Sequence, residues 1–255
     1  MLVKNTKSLH VNSLKALVYG EPGAGKTTLA GTLRDKTLIV SAEAGLLSLN
    51  GKDIDVIDIS QDDNGGLIPK ELRIKRLGEV YQYLLTPEAN KKYKNVFIDS
   101  LTEISQNLLE QLEVEFPDRK DSLVKYGENA KRMRSLVKSF RDLTTYNVVF
   151  TALSEKEKDE SGRYYLGISM PGKFSQVVPA MFDEVFYLHT HKLEDGSTQR
   201  VLVTKKTDTN VCKDRSGACA DTESPDLGMI FDKIRNHPPI HEVKTKQPTQ
   251  KEAVK

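Results

Sequence analysis

The sequence predicts an α/β fold with a mainly parallel central sheet flanked by helices. Three observations predict it. Short apolar segments of strand length alternate with longer segments of helical periodicity. The first strand runs into a glycine-rich turn that opens a helix. A later apolar strand ends in an aspartate, at the strand end where open α/β sheets bind ligands.

The elements follow in order. Residues 1–13 read as an N-terminal strap. Leu14 to Tyr19 (LKALVY) is a short buried strand, and Lys26 to Arg34 reads as a helix. Leu38-Ile39-Val40 is a second buried strand; Asp53 to Ile59 alternates polar and apolar, as an edge strand does. Glu71 to Leu85 is helical and stops before Pro87. Asn95 to Ile98 is a third core strand. Ser100 with Glu103 has the form of a capping box for the helix carrying Leu101, Ile104, Leu108 and Leu112. Met133, Leu136, Val137, Phe140 and Leu143 mark another amphipathic helix, and Val148-Val149-Phe150 a fourth core strand. Residues 154–163 read as a charged turn, with Tyr164 to Ile168 closing a small hairpin. Asp183 to Leu188 and Arg200 to Thr204 form a C-terminal β-hairpin, and Leu227 to Arg235 a last helix. One domain is expected over 14–236, with a disordered tail over 237–255.

Composition excludes several classes. The chain has 255 residues, with 38 Lys+Arg against 36 Asp+Glu, a net charge of +2 and two cysteines. No apolar run approaches the ~20 residues of a membrane span, so no membrane partner is expected. No apolar block follows Lys4 and Lys7, so no secretory leader is expected either. Cys212 and Cys219 are expected as reduced thiols in a cytoplasmic location. His189 and His191 share a strand face without carboxylate or cysteine at metal-site spacing, and read as ordinary strand residues.

Gly20-Glu21-Pro22-Gly23-Ala24-Gly25-Lys26-Thr27 fits G-x-x-x-x-G-K-[ST], with Thr28 following. Glycines let backbone N–H groups turn inward around phosphate oxygens, and the helix beyond adds its N-terminal dipole. Lys26 reaches the β- and γ-phosphates, and the Thr27 hydroxyl is a Mg²⁺ ligand. ATP and Mg²⁺ are therefore the expected cofactors. Asp99, emerging after Val96-Phe97-Ile98, is the second metal anchor. Glu43, just past the second strand, is the candidate base for water; Glu103 competes, although its cap role explains it.

The layout resembles the RecA-like ATPases. The stretch Ser41-Ala42-Glu43-Ala44-Gly45-Leu46 is similar to RecA's catalytic-glutamate turn, and Val96-Phe97-Ile98-Asp99-Ser100 to its metal-binding strand. The resemblance is closer to a family of phage-encoded nucleotide-binding proteins built on a shortened RecA core, some of which act in single-strand annealing and recombination. It rests on Tyr19-Gly20-Glu21-Pro22-Gly23, Phe140 to Leu143, Val148 to Leu153, Met170-Pro171-Gly172-Lys173, Phe182 to Val185 and Lys213 to Gly217. It implies a RecA-like P-loop NTPase core. Lys213-Asp214-Arg215-Ser216-Gly217 looks like the K-x-R-x-G element with which hexameric helicases reach a neighbour's γ-phosphate; this implies a ring or filament of copies, Lys213 and Arg215 being catalytic in trans. Lys205 and Lys206 are alternative trans cations. RecA's phosphate-sensing glutamine has no counterpart in Phe150-Thr151-Ala152-Leu153-Ser154, where Thr151 or Ser154 stands instead.

Charge is uneven along the chain. Residues 101–118 carry five acids and no Lys or Arg, whereas residues 119–144 carry eight bases and three acids. Lys125, Tyr126, Lys131, Arg132 and Arg134 are the candidate nucleic-acid contacts, with Tyr126 and Gly127 in a loop where an aromatic stacks on a base. Residues 154–174, with Arg163, Tyr164 and Tyr165, are a second candidate DNA loop. The expected task is slow ATP hydrolysis coupled to single-stranded DNA binding and strand annealing, with a single-strand-binding protein as a further partner. A helicase loader switched by ATP and a small-molecule phosphotransferase are the alternatives.

Overall fold

The computed structural model describes residues 13–43, 45–117 and 122–237. Nearly all of the expected strap and tail, with Ala44, Arg119 and Lys120, lie outside the described residues. The strands are β1 (Lys15–Gly20), β2 (Thr37–Ser41), β3 (Asp55–Asp58), β4 (Asn95–Asp99), β5 (Asn147–Lys158), β6 (Tyr164–Ile168), β7 (Glu184–Lys192), β8 (Thr198–Val203), β9 (Lys213–Asp214) and β10 (Thr222–Glu223). The helices are α1 (Lys70–Leu84), α2 (Pro87–Lys92), α3 (Leu101–Glu115), α4 (Ser122–Arg141), α5 (Phe174–Val177) and α6 (Leu227–Arg235).

The expected α/β fold is present. The sheet runs β10-β8-β7-β1-β5-β4-β2-β3, parallel from β7 to β3 and antiparallel beyond β7. β5 lies between the strand leading into the glycine-rich loop and the strand ending in Asp99. Alternating side chains feed two cores. Leu17, Tyr19, Val96, Ile98, Val148 and Phe150 face α1, α3 and α4. Ala16, Val18, Ile39, Phe97, Val149 and Leu188 face the loop helix and α6. Both faces of the parallel sheet are thus covered, which is why its strands read as near-continuous apolar runs. β3 is the edge, and its Val56 is 42% exposed. β1 is buried along its whole length. Its first residue is pinned, because Lys15 Nζ donates to Leu143 O at 2.7 Å and Tyr146 O at 2.5 Å.

The structure corrects several local expectations. The helix expected over Lys26 to Arg34 is a 3₁₀ helix over Thr27–Thr32. Its three threonines lower α propensity, and Thr32 Oγ1 donates back to Leu29 O at 2.7 Å. The charged stretch expected as a turn is strand as far as Lys158, because Glu155 to Lys158 pair with Tyr164 to Gly167. Tyr126 and Gly127, expected in a loop, lie inside α4. That helix is held to α3 by buried Asn129, whose Nδ2 donates to Ser105 O at 2.9 Å, and by Arg132 paired with Glu115 at 2.7 Å. α2 escaped the periodicity: Pro87 opens it, and the Thr86 hydroxyl caps it by accepting from Ala89 N–H at 3.3 Å. No helix among the described residues is long and apolar enough to cross a membrane.

The α6 contact carries a stability prediction. A Cβ on Gly228 meets Thr32 O at 2.5 Å and Arg34 Cγ at 2.9 Å. Gly228→Ala is expected to destabilise the protein by about 1–3 kcal/mol, the range for overpacking, read as a lower urea midpoint at unchanged m-value. An unchanged midpoint means that α6 does not pack this closely on the loop helix.

Candidate active site

β1 ends at Gly20, and the chain turns back through Glu21 to Gly25, with Ala24 N–H donating to Glu21 O at 3.2 Å. Gly25 has φ 102°, a backbone conformation that side chains rarely adopt, so the residue type is fixed by the turn. Lys26 then folds back against the loop. Its Nζ donates to Gly20 O at 3.0 Å and Glu21 O at 2.9 Å. The residue is 8% exposed. Burial lowers its pKa, against which the Asp99 and Glu43 carboxylates pull upward.

Two strands along, β4 ends at Asp99, joined to Ser100 by a cis peptide bond. Thr27 Oγ1 donates to Asp99 Oδ2 at 2.5 Å, and Thr151 Oγ1 on β5 donates to the other oxygen, Oδ1. Both carboxylate oxygens are oriented by threonines from two elements. Ser100 has two jobs: its hydroxyl accepts from Glu103 N–H at 3.3 Å, capping α3, and donates to Glu43 Oε1. Glu43 is held from its backbone side as well, through its carbonyl accepting from Ser41 Oγ. Burial and the neighbouring Glu43 push Glu103 upward. The two acids are thus differently placed: Glu43 is held by two serine hydroxyls, and Glu103 is pushed toward its neutral form.

Gly20 to Thr28, Glu43 and Asp99, distant in sequence, therefore converge at the C-terminal end of the parallel strands. Thr28, the last loop residue of the expected set, is exposed. The donor set fits its expected ligand. A buried ammonium lies against the glycine-rich turn. Beside it, a hydroxyl and a carboxylate converge on one point, offering the hard oxygens that Mg²⁺ takes.

A phosphate loop on β1, with β5 inserted before the acid-bearing β4, defines a P-loop NTPase with a RecA-like core. The profile of a family described as an AAA domain matches residues 12–216, and the chain belongs to that family. Among solved structures, an ATPase from the type III secretion system of pathogenic bacteria is similar at 15% identity and a TM-score of 0.43. That match covers 69% of this chain and 51% of the other, so this chain spans about half of that ATPase's length. No curated protein matches the chain.

The remaining expected residues lie elsewhere. β9 pairs with the start of β7, at the level of Ala16 on β1, so Lys213 and Arg215 sit toward the opposite end of the sheet from the loop. Arg215 pairs with Asp183 at 2.5 Å, and Lys213 Nζ donates to Phe182 O. Lys205 pairs with Asp214 at 2.5 Å. Lys206 lines a cavity of about 470 Å³ beside the β5–β6 hairpin. Of the candidate DNA contacts, Arg132 is bound to Glu115 and Glu128, and Lys131 lies 3.5 Å from Glu128. Tyr126 is 42% exposed, and its Cβ lies 3.7 Å from where a Cβ on Gly172 would stand. The start of α4 therefore meets the turn after the β5–β6 hairpin. Sequence reasoning missed the support that Ser100 gives Glu43, and it offered Thr151 as a phosphate sensor, whereas Thr151 stands behind Asp99. The signals are the β2–β4 pairing for the first and the β4–β5 pairing for the second, which no local motif encodes.

Proposed function

We propose that this protein is a Mg²⁺-dependent ATPase that assembles with its own copies and acts on single-stranded DNA, in strand annealing and recombination of the phage-encoded kind. The observation that carries the ATPase reading is the Thr27–Asp99–Thr151 arrangement next to buried Lys26. Lys26 binds the phosphates, Thr27 and Asp99 hold the metal, and Glu43, positioned by the Ser100 hydroxyl, orients and deprotonates the attacking water. Bound Mg²⁺ neutralises charge on the phosphate oxygens. Lys213 and Arg215, remote from their own loop, complete a neighbour's site, so turnover depends on assembly and is slow in isolated copies. Adjacency supports the DNA reading, because Tyr126 brings the basic helix against Gly172, in the turn after the β5–β6 hairpin and within the second candidate segment. Lys125 and Arg134 contact the phosphate backbone there, and a single-strand-binding protein is the natural partner on such DNA.

One preparation tests this: ATP hydrolysis with and without single-stranded DNA, for wild type and Glu43→Gln. Turnover in the wild type is expected to rise with DNA, through binding that weakens steeply with salt. Glu43→Gln is expected to lose about 10²–10⁴-fold in turnover, the range for general-base removal. Equal rates for the two proteins remove Glu43 from the mechanism. Turnover and binding indifferent to DNA remove the nucleic-acid reading while leaving the ATPase.

A further inference from the structure

The β7–β8 hairpin presents one face to the phosphate loop. Leu188 and Leu202 on that face share an apolar cluster with Ala24 and Leu29. Side chains alternate along a strand, so Thr198 and Arg200 lie on the same face as Leu202. The register places Arg200 opposite Thr190. Thr190, Lys192 and Thr198 line a groove of about 230 Å³ together with Glu21 to Ala24. Arg200 itself lies against the loop. A Cβ on Gly25 stands 3.5 Å from Arg200 Nε, 3.6 Å from Cδ and 3.9 Å from Cζ. Arg200 is an exposed residue, and no carboxylate pairs with it among the described residues.

We propose that Arg200 binds the phosphate chain of a nucleoside di- or triphosphate seated in the loop, as a second cation supplied by the same chain. The proposal rests on the reading of Gly20 to Thr28 as a nucleotide site. Lys26 approaches the phosphates from beneath, through the loop it is bonded to. Arg200 approaches from the hairpin side, at the residue just before Lys26. A planar fork of N–H donors suits phosphate oxygens, and a guanidinium without a carboxylate gives up no ion pair to reach them. Arg215 and Lys213 differ on both counts, being bonded within the chain and remote from its loop.

The test is titration of the full chain with fluorescent ADP and ATP, for wild type, Lys26→Ala, Arg200→Ala and Arg200→Lys. Arg200→Ala is expected to bind both nucleotides roughly 10- to 100-fold more weakly, as for loss of a charge-assisted hydrogen bond, with an unchanged melting temperature. Arg200→Lys keeps part of the affinity, since charge remains and the fork is lost. Wild-type affinity in Arg200→Ala, with Lys26→Ala impaired, overturns the role of Arg200 and leaves the nucleotide site standing. A lower melting temperature with unchanged affinity also overturns it, making Arg200 a clamp on Gly25. A wild-type protein that binds neither nucleotide removes both readings.

Discussion

Replacing Lys26 by alanine is expected to abolish nucleotide binding at micromolar concentrations while leaving the fold intact. The ammonium is buried beneath the loop, where its attraction for phosphate is weakly screened. Burial also lowers its pKa, so the lysine gains interaction free energy when phosphates surround it and hold it charged. The truncation removes the donor to Gly20 O and Glu21 O as well, and with it the contact that shapes the turn before any ligand arrives. Two charge-assisted hydrogen bonds from the ammonium to phosphate oxygens, at about 1.5–3 kcal/mol each, correspond to an affinity loss of well over 100-fold. Calorimetric titration with ATP measures it directly. Wild-type affinity in Lys26→Ala removes the loop from the binding site.

The second large effect is at Asp99. Asp99→Asn is expected to lower turnover at least ~100-fold and to flatten its dependence on Mg²⁺, with metal-free nucleotide binding retained. The amide is nearly isosteric, so the change is in charge and donor pattern. An NH₂ group replaces one of two oxygens that accept threonine O–H groups, and it faces either Thr27 or Thr151. Thr151→Val probes the same carboxylate from behind. It leaves Asp99 charged but frees one oxygen to rotate, and a loss of about 10–100-fold in apparent Mg²⁺ affinity is expected, the usual scale for groups that orient a metal ligand. Turnover measured against Mg²⁺ concentration separates the two variants. If Asp99→Asn kept the wild-type Mg²⁺ response, the assignment of Asp99 as metal anchor would be wrong.

The contrast between these residues and Arg200 shows what a sequence holds. The loop is legible because its chemistry is contiguous: every residue that turns the backbone, supplies the ammonium or offers the hydroxyl lies between Gly20 and Thr27. Asp99 and Glu43 are legible at one remove, since a carboxylate at the end of a buried strand has few structural reasons to be there. Thr151 is legible only once β5 is known to lie beside β4, because an isolated threonine in Phe150-Thr151-Ala152 carries no sign of its partner. Arg200 is less legible still, for its neighbour Gly25 is brought to it by an antiparallel hairpin on the far side of β1. Tyr126 and Gly127 failed in the other direction. A glycine and a tyrosine between charges resemble a loop, yet Asn129 buried against α3 holds the helix through them.

The position of β1 has a thermodynamic consequence. Its edges are taken by β5 and β7, its faces are covered by both cores, and its first side chain is tied to the turn that follows α4. Such a strand exchanges its amide protons by global rather than local opening. A ligand held by the loop at its end is therefore linked to unfolding of the whole domain, and saturation at 100 times the dissociation constant adds about 2.7 kcal/mol to the stability of every element. The melting temperature of the whole domain is then expected to rise with nucleotide concentration above the dissociation constant.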